Sequence, residues 1–455
     1  MVEPLQSDEP ILESEIADPA AAMRGANRRQ SFGGRRAGEY THWIKEQMSW
    51  KETCYIGDWT FLANCLLEGP DAVDLLADLS INSFADYPVG GMKHLVQCNE
   101  DGKVITDGVL LRHGEEQFEL HGVPSYWTEY NRQVGDYDAT TQFRDTFNYQ
   151  VQGPTALDVL ENVTEGSLRD IDFAHFGEVE IAGHPINAVR FGMAGEIGFE
   201  LQGDIEYAQD VWDTIYREGQ EFGVQRLSVK TSAINQLEAG IPTRIRDYVS
   251  AIFGDEMADY RDWLRENAHR NLITHPVEGS FDADDISAWY RTPVELNWDH
   301  YMKFDHDFLG SEALKAEAEN PTRRTVTLEW DTDDVVDVYA SLYHGGDHYS
   351  HYKYMDMPHQ QKRAMVADRV LADGEDVGVA TMRGYSYFFG KTLSLATIDV
   401  EHAEPGTEVT VLWGEGGDPV SPTVEPHQQK EVSATVAPTP YKEDRRRTDL
   451  KSAED

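Results

Sequence analysis

Three side chains and one run of histidines hold most of the reactive chemistry this chain can offer. Asp107 lies in GKVITDGVLLR, Glu200 near the end of the glycine-rich run RFGMAGEIGFEL, and Tyr248 follows a LEAG turn in IPTRIRDYVS. A carboxylate on a strand can take up a proton or balance a growing positive charge, or it can simply cap a turn. A carboxylate after a tight glycine loop can receive two parallel N–H donors, or close an exposed hairpin. The stretch YHGGDHYSHYKYMDMPHQQ brings His344, His348, His351 and His359 together at spacings that would suit a metal on a helix. Gly345 and Gly346 argue against a helix there, so these residues are read as exposed or lid histidines, and no metal site is assigned. Phosphate-loop, dinucleotide, zinc-protease and nucleophile-elbow signatures do not occur in the sequence, which removes the chemistries they carry.

Elements that can position such groups recur along the chain. FLANCLLEGPDAVDLLADLS reads as a strand, a Gly-Pro turn and a helix with Ala72, Leu75, Leu76 and Leu79 on one face. FNYQVQGPTALDVLENV repeats that grammar with Gly153-Pro154 and a helix carrying Ala156, Leu157 and Leu160. Two such units predict a pseudo-repeated α+β body. GKVITDGVLLRH, QFELHGV and GEVEIAGHPINAVRFG read as antiparallel strands, and AQDVWDTIYREGQEFG and MADYRDWLRENAH as helices. After Pro321 the helical pattern stops and short strands follow one another, predicting an all-β barrel or sandwich. The expected organisation is a mobile arm over 1–38, a two-subdomain body over 39–320, a β-barrel domain over 321–417 and a tail over 418–455.

The charge excludes some partners. With 39 Lys+Arg against 82 Asp+Glu the formal net charge is −43, a surface that repels phosphate backbones and argues against nucleic acid. Only 13 of the 39 cations are lysines, as expected of a folded protein adapted to a salt-rich cytosol, where screening suppresses self-repulsion. Cys54, Cys65 and Cys98 have neither the number nor the spacing of a disulfide framework or zinc site, which implies a reducing compartment. No apolar run approaches the length that spans a bilayer, and the expected location is cytoplasmic.

Four collinear patterns carry a resemblance. GKVITDGVLLR, VQGPTAL (151–157), RFGMAGEIGFEL and TPVELNWDHYMKFDHDFLGSEAL (292–314) resemble, in this order, segments of the glycine-cleavage T-protein (aminomethyltransferase) family. INSFADYPVGGMKH and GSFDADDISAWYRTPVEL are most similar to its tetrahydrofolate-dependent aromatic O-demethylase branch, the vanillate and syringate demethylases. The chain departs from the family at Met193, where a tyrosine is usual, and at Ile234, where an arginine precedes the LEAG turn.

The resemblance implies an α+β body around a central folate cavity with a C-terminal barrel, and tetrahydrofolate as cofactor. It implies a catalytic role for Asp107, pterin binding by Glu200, and cofactor contacts from Arg190 and Met193 on the same loop. Tyr248 is the candidate to protonate a phenolate leaving group, with a packed tyrosine as the alternative reading. Arg112 is the candidate for a donor's carboxylate, although five residues from Asp107 along a strand puts the two on opposite faces. The implied reaction moves a methyl group from a small methoxylated aromatic donor to folate. The alternatives are aminomethyl transfer with a lipoylated carrier protein as partner, and a non-catalytic folate-binding regulator.

Overall fold

The structure is a computed structural model that describes residues 38–165, 167–268, 276–344, 350–361, 364–417, 419 and 421–451. The arm read over 1–38 lies, apart from its last residue, outside these.

Alternation along the strands sorts each sheet of the body into an apolar and a polar face. The five-stranded sheet runs in the order Met92–Cys98, Val104–Gly114, Gln117–Gly122, Asn64–Glu68, Thr140–Phe143, all antiparallel. One face carries Leu67, Leu95, Leu110, Phe118 and Leu120 against the helices Ala72–Leu79 and Pro124–Val134. The first helix buries Ala72, Leu75, Leu76 and Leu79, the stripe legible in the sequence. Each buried leucine contributes roughly 1.5–3 kcal/mol.

The seven-stranded sheet is built likewise around Tyr55–Asp58, Thr146–Gln152, Gly198–Asp204, His184–Val189 and Phe176–Ile181. Its apolar face, with Ile56, Tyr149, Val151, Ala188, Phe199 and Leu201, packs on the helices Ala156–Val163 and Ala208–Glu218. The two Gly-Pro turns serve the same purpose in the two sheets. Gly69 and Gly153 adopt φ of +142° and +135°, and a side chain on either would run into the backbone carbonyl of Asp138 or Thr53. Only glycine fits at both.

Beyond residue 321 the chain forms a closed six-stranded barrel, in the order Arg323–Trp330, Lys391–Asp399, Glu375–Ser386, Asp368–Ala372, Glu408–Trp413, Lys430–Ala437. Two expectations are corrected here. The helix Thr332–Ser341 interrupts the region read as all-β; Asp331 caps it by accepting from Asp334 N, and Val335 and Val338 seat it on the barrel core. The segment from 418 read as a tail supplies the strand that closes the barrel. Its alternation is carried by small residues, Val432, Ala434 and Val436 inward against Glu431, Ser433 and Thr435 outward, so it reads as polar in sequence. Further on, Leu450 is buried in the core of the seven-stranded sheet.

Candidate functional site

Asp107 stands midway along Val104–Gly114, paired with Val96. Its side chain is 20% exposed. Its Oδ1 accepts from the Tyr248 hydroxyl and its Oδ2 meets Nε2 of His94 at 2.9 Å. The ring of Trp298 lies edge-on to both His94 and Tyr248, at 5.0 and 6.0 Å, and Tyr301 lies 5.2 Å from His94. Burial, followed by the charge of Asp107, holds the Tyr248 hydroxyl well above its ordinary pKa, so it stays protonated and donates. The loop before it is tied to the barrel by Asp247, which accepts from Thr243 N at 2.7 Å and Thr381 Oγ1 at 2.6 Å.

Glu200 is buried on the polar face of the other sheet, between Gln150 on one neighbouring strand and Val189 on the other. Gln150 Nε2 donates to its Oε1 at 2.7 Å and Asn148 Nδ2 to its Oε2 at 3.4 Å. Burial raises its carboxyl pKa, against the pull of Gln150 and His121. Around it run further polar groups: Asn235 Nδ2 donates to the Tyr55 hydroxyl at 3.1 Å, and Ala194 N to Gln152 Oε1 at 2.9 Å. The buried atoms Gln202 Nε2 and Oε1, Asn148 Oδ1, Asn235 Oδ1 and Asn64 Oδ1 have no hydrogen-bond partner among the described residues. Polar groups buried without partners are costly in an apolar core.

Register and packing together bring the faces that carry the two carboxylates into contact. Asp107, Val109 and Leu111 share a face with His121 and Glu119 on the next strand and Met92 and His94 on the other side. Val189 shares the face of Glu200. Met92, Leu111 and Val189 form one apolar cluster, with Val109 and Phe191 packed against it. The Asp107 face and the Glu200 face therefore meet at that seam. His121 bridges them electrostatically, since it acts on Glu200 while its Nε2 lies 3.2 Å from Glu119. Burial alone would raise Glu119, but hydrogen bonds with His113, His121 and Asn64 hold its carboxyl well below the usual carboxylate range.

Other expected site residues sit elsewhere. Arg112 is on the opposite face from Asp107, over the rings of Tyr87 and Phe118, with its guanidinium donating to the carbonyls of Tyr87, Gly114 and Glu115. The odd spacing holds because the strand stays regular as far as Arg112. Arg190 is buried, donating to the carbonyls of Ile171 and Thr448, and so holds the chain rather than facing Glu200. Met193 accepts from Gln236 Nε2 at 3.5 Å. In the histidine stretch, His348 lies outside the described residues. His359 is buried against the carbonyls of Gln360 and Val229, its pKa pushed down to about 3 by burial, and His351 faces the carbonyl of Tyr352.

Sequence reasoning passed over His94, His121, Glu119, Trp298 and Tyr301. His94 lies in the quoted MKH, but only strand register sets it level with Val109, and Trp298 and Tyr301 lie inside TPVELNWDHYMKFDHDFLGSEAL.

Comparison with known proteins places the chain. The GCVT N-terminal domain model matches residues 19–254, and the glycine cleavage T-protein C-terminal barrel domain model matches residues 355–427. The chain is 35% identical to a syringate O-demethylase of Sphingobium sp. and 35% identical to a sesamin methylene transferase of Sinomonas sp., in each case over 89% of both chains. An aminomethyltransferase of Saccharopolyspora erythraea is 25% identical over 85% of this chain and 90% of its own. The solved aminomethyltransferase T of the Bartonella henselae glycine cleavage system superposes with a TM-score of 0.67 at 17% identity, covering 94% of this chain and 97% of that one.

Proposed function

The chain belongs to the glycine-cleavage T-protein family, and we propose that it is a tetrahydrofolate-dependent one-carbon transferase that takes a methyl group from a small methoxylated aromatic donor. The observation that carries this reading is the pairing of two faces: a buried carboxylate amid amides on one, and a carboxylate held by a tyrosine and a histidine on the other.

The groups fit the cofactor. A pterin offers two adjacent N–H donors that match a carboxylate, and Glu200 is such a carboxylate, with the unpartnered amide atoms of Gln202 and Asn148 beside it. Bound there, tetrahydrofolate would supply a nucleophilic nitrogen for the one-carbon unit. Asp107 then offsets positive charge that develops nearby and takes up a proton at a carboxylate oxygen. Tyr248 holds a proton at its hydroxyl that, turned away from Asp107, can pass to a leaving phenolate oxygen, and Tyr248 recovers one across the same hydrogen bond once Asp107 has been protonated. Trp298 and Tyr301 supply the flat apolar surface an aromatic donor needs.

Aminomethyl transfer fits less well, because Ile234 is buried with Leu237 and Leu395 where the family pattern has a cation. Methylene transfer from a methylenedioxy ring is the second reading, supported by the sesamin-acting relative. Three free buried cysteines and the charge of −43 support a reducing, salt-rich cytosol as the setting. No helix among the described residues is long and apolar enough to cross a membrane.

Purified protein mixed with tetrahydrofolate and vanillate or syringate in molar salt is expected to form 5-methyltetrahydrofolate and the demethylated phenol. No product from any methoxyaromatic overturns the methyl version; product only from a methylenedioxy donor selects the second reading.

A further inference from the structure

After the barrel closes, residues 438–451 cross back over the loop that leads to Glu200. Tyr441 N and Lys442 N donate to Glu238 O at 3.1 and 3.2 Å, and Arg445 N to Gly195 O at 2.9 Å. Arg190 holds the carbonyl of Thr448, Arg169 Nη1 holds that of Leu450 at 3.2 Å, and Leu450 is buried. The strap is thus fixed along its course, and with it three consecutive arginines, 445 to 447, in a chain of charge −43.

Two of these point along the apolar seam. Arg446 donates to Gly192 O at 3.2 Å, pairs with Asp444, and lies 5.9 Å over the rings of Phe173 and Phe191. Arg447 is exposed, lies 4.9 Å over Phe173, and makes no hydrogen bond among the described residues. Phe191 packs on the cluster where the Asp107 and Glu200 faces meet. Beyond it, the Tyr301 hydroxyl is raised chiefly by burial, pulled down by Arg446 and Arg447, and pushed up by Asp107. One ring beside Asp107 therefore feels both the arginines and the carboxylate.

We propose that Arg447, backed by Arg446, is the binding point for a carboxylate of the small molecule that enters the Asp107 site, either that of an aromatic acid donor or that of the folate glutamyl tail. This rests on the one-carbon reading above. A guanidinium stacked on a ring keeps its in-plane N–H donors for a bidentate anion. A positive point on a strongly negative surface focuses anions toward one mouth. Arg112, held by three backbone carbonyls on the far face, leaves this work to another cation.

The test is calorimetric titration of the full chain, Arg447→Gln and Arg447→Lys at one fixed salt concentration, with four probes. These are vanillate, vanillyl alcohol, tetrahydrofolate and 6-methyltetrahydropterin. Arg447→Gln is expected to weaken one carboxylate-bearing probe about tenfold while its uncharged counterpart binds unchanged; Arg447→Lys keeps the charge, loses the paired donors and falls between. Loss on vanillate assigns the donor's carboxylate, and loss on tetrahydrofolate the glutamyl tail. Equal affinities across all probes, or a loss shared by the uncharged ones, overturns the inference while wild-type binding of tetrahydrofolate leaves the one-carbon reading standing. A wild type that binds none of the four overturns both. Should Arg447→Gln fail to fold, Arg447→Lys reads the same contrast.

Discussion

The Tyr248 hydroxyl donates to Oδ1 of Asp107 while His94 occupies Oδ2, so both oxygens of one carboxylate are engaged by side chains from separate parts of the chain. Its orientation is set in advance, as preorganised electrostatic catalysis requires. Asp107→Asn preserves the shape but cannot take up a proton. Turnover to 5-methyltetrahydrofolate is expected to drop roughly 10²–10⁴-fold with the thermal midpoint unchanged, and Tyr248→Phe to cost about 10²-fold. A wild-type rate from Asp107→Asn would remove Asp107 from the chemistry.

Glu200 is the test of the other face. Glu200→Gln keeps the size and one acceptor but loses the charge. The dissociation constant for tetrahydrofolate is expected to rise about 10- to 100-fold, the worth of a charged hydrogen bond. The rate at saturating tetrahydrofolate should hardly move. Equilibrium titration beside initial rates separates the two, and a change in maximal rate alone would contradict a binding role.

The paired turns give a stability prediction. Gly153 sits at φ +135° with the carbonyl of Thr53 against its missing side chain. Gly153→Ala must move backbone, and a loss of at least about 2 kcal/mol in denaturant unfolding is expected. Gly69→Ala should cost a similar amount in the other sheet. If either alanine variant matched wild type, the close approach at that turn would be disproved.

Asp247 makes stability depend on pH. Burial pushes its carboxyl up to about 6, against hydrogen bonds from Thr381 and Thr243. The folded form thus keeps a proton that the unfolded chain gives up near the ordinary value of 3.8. Its contribution is complete below that value and vanishes as the pH rises through about 6, a change on the order of 3 kcal/mol. Asp247→Asn should remove that part of the slope, read as the difference in thermal midpoint between pH 4.5 and 7 against wild type. An unchanged difference would show that Asp247 titrates normally.

Much of this was legible where period and punctuation agree. The Gly-Pro turns with Leu75, Leu76 and Leu160 behind them gave the body its helices, and alternation in GKVITDGVLLRH gave the Asp107 strand and the wrong side for Arg112. What stayed hidden depends on register between distant strands. His94, His121 and Glu119 face Asp107 or Glu200 only once three strands are aligned. The closing barrel strand escaped notice because Val432, Ala434 and Val436 are too small to stand out among charges. The helix Thr332–Ser341 was missed because the alternation of Val336, Asp337 and Val338 also suits a strand.

Leu450 completes the core of a sheet whose first strand begins at Tyr55. On a ribosome the early sheet must therefore wait, its apolar face short of one plug, until residue 450 has emerged. The loop over which the strap is laced stays unfastened for the same interval. Folding of the early sheet and synthesis as far as Leu450 are thus coupled, and a chain cut short before Leu450 would leave that face open to aggregation.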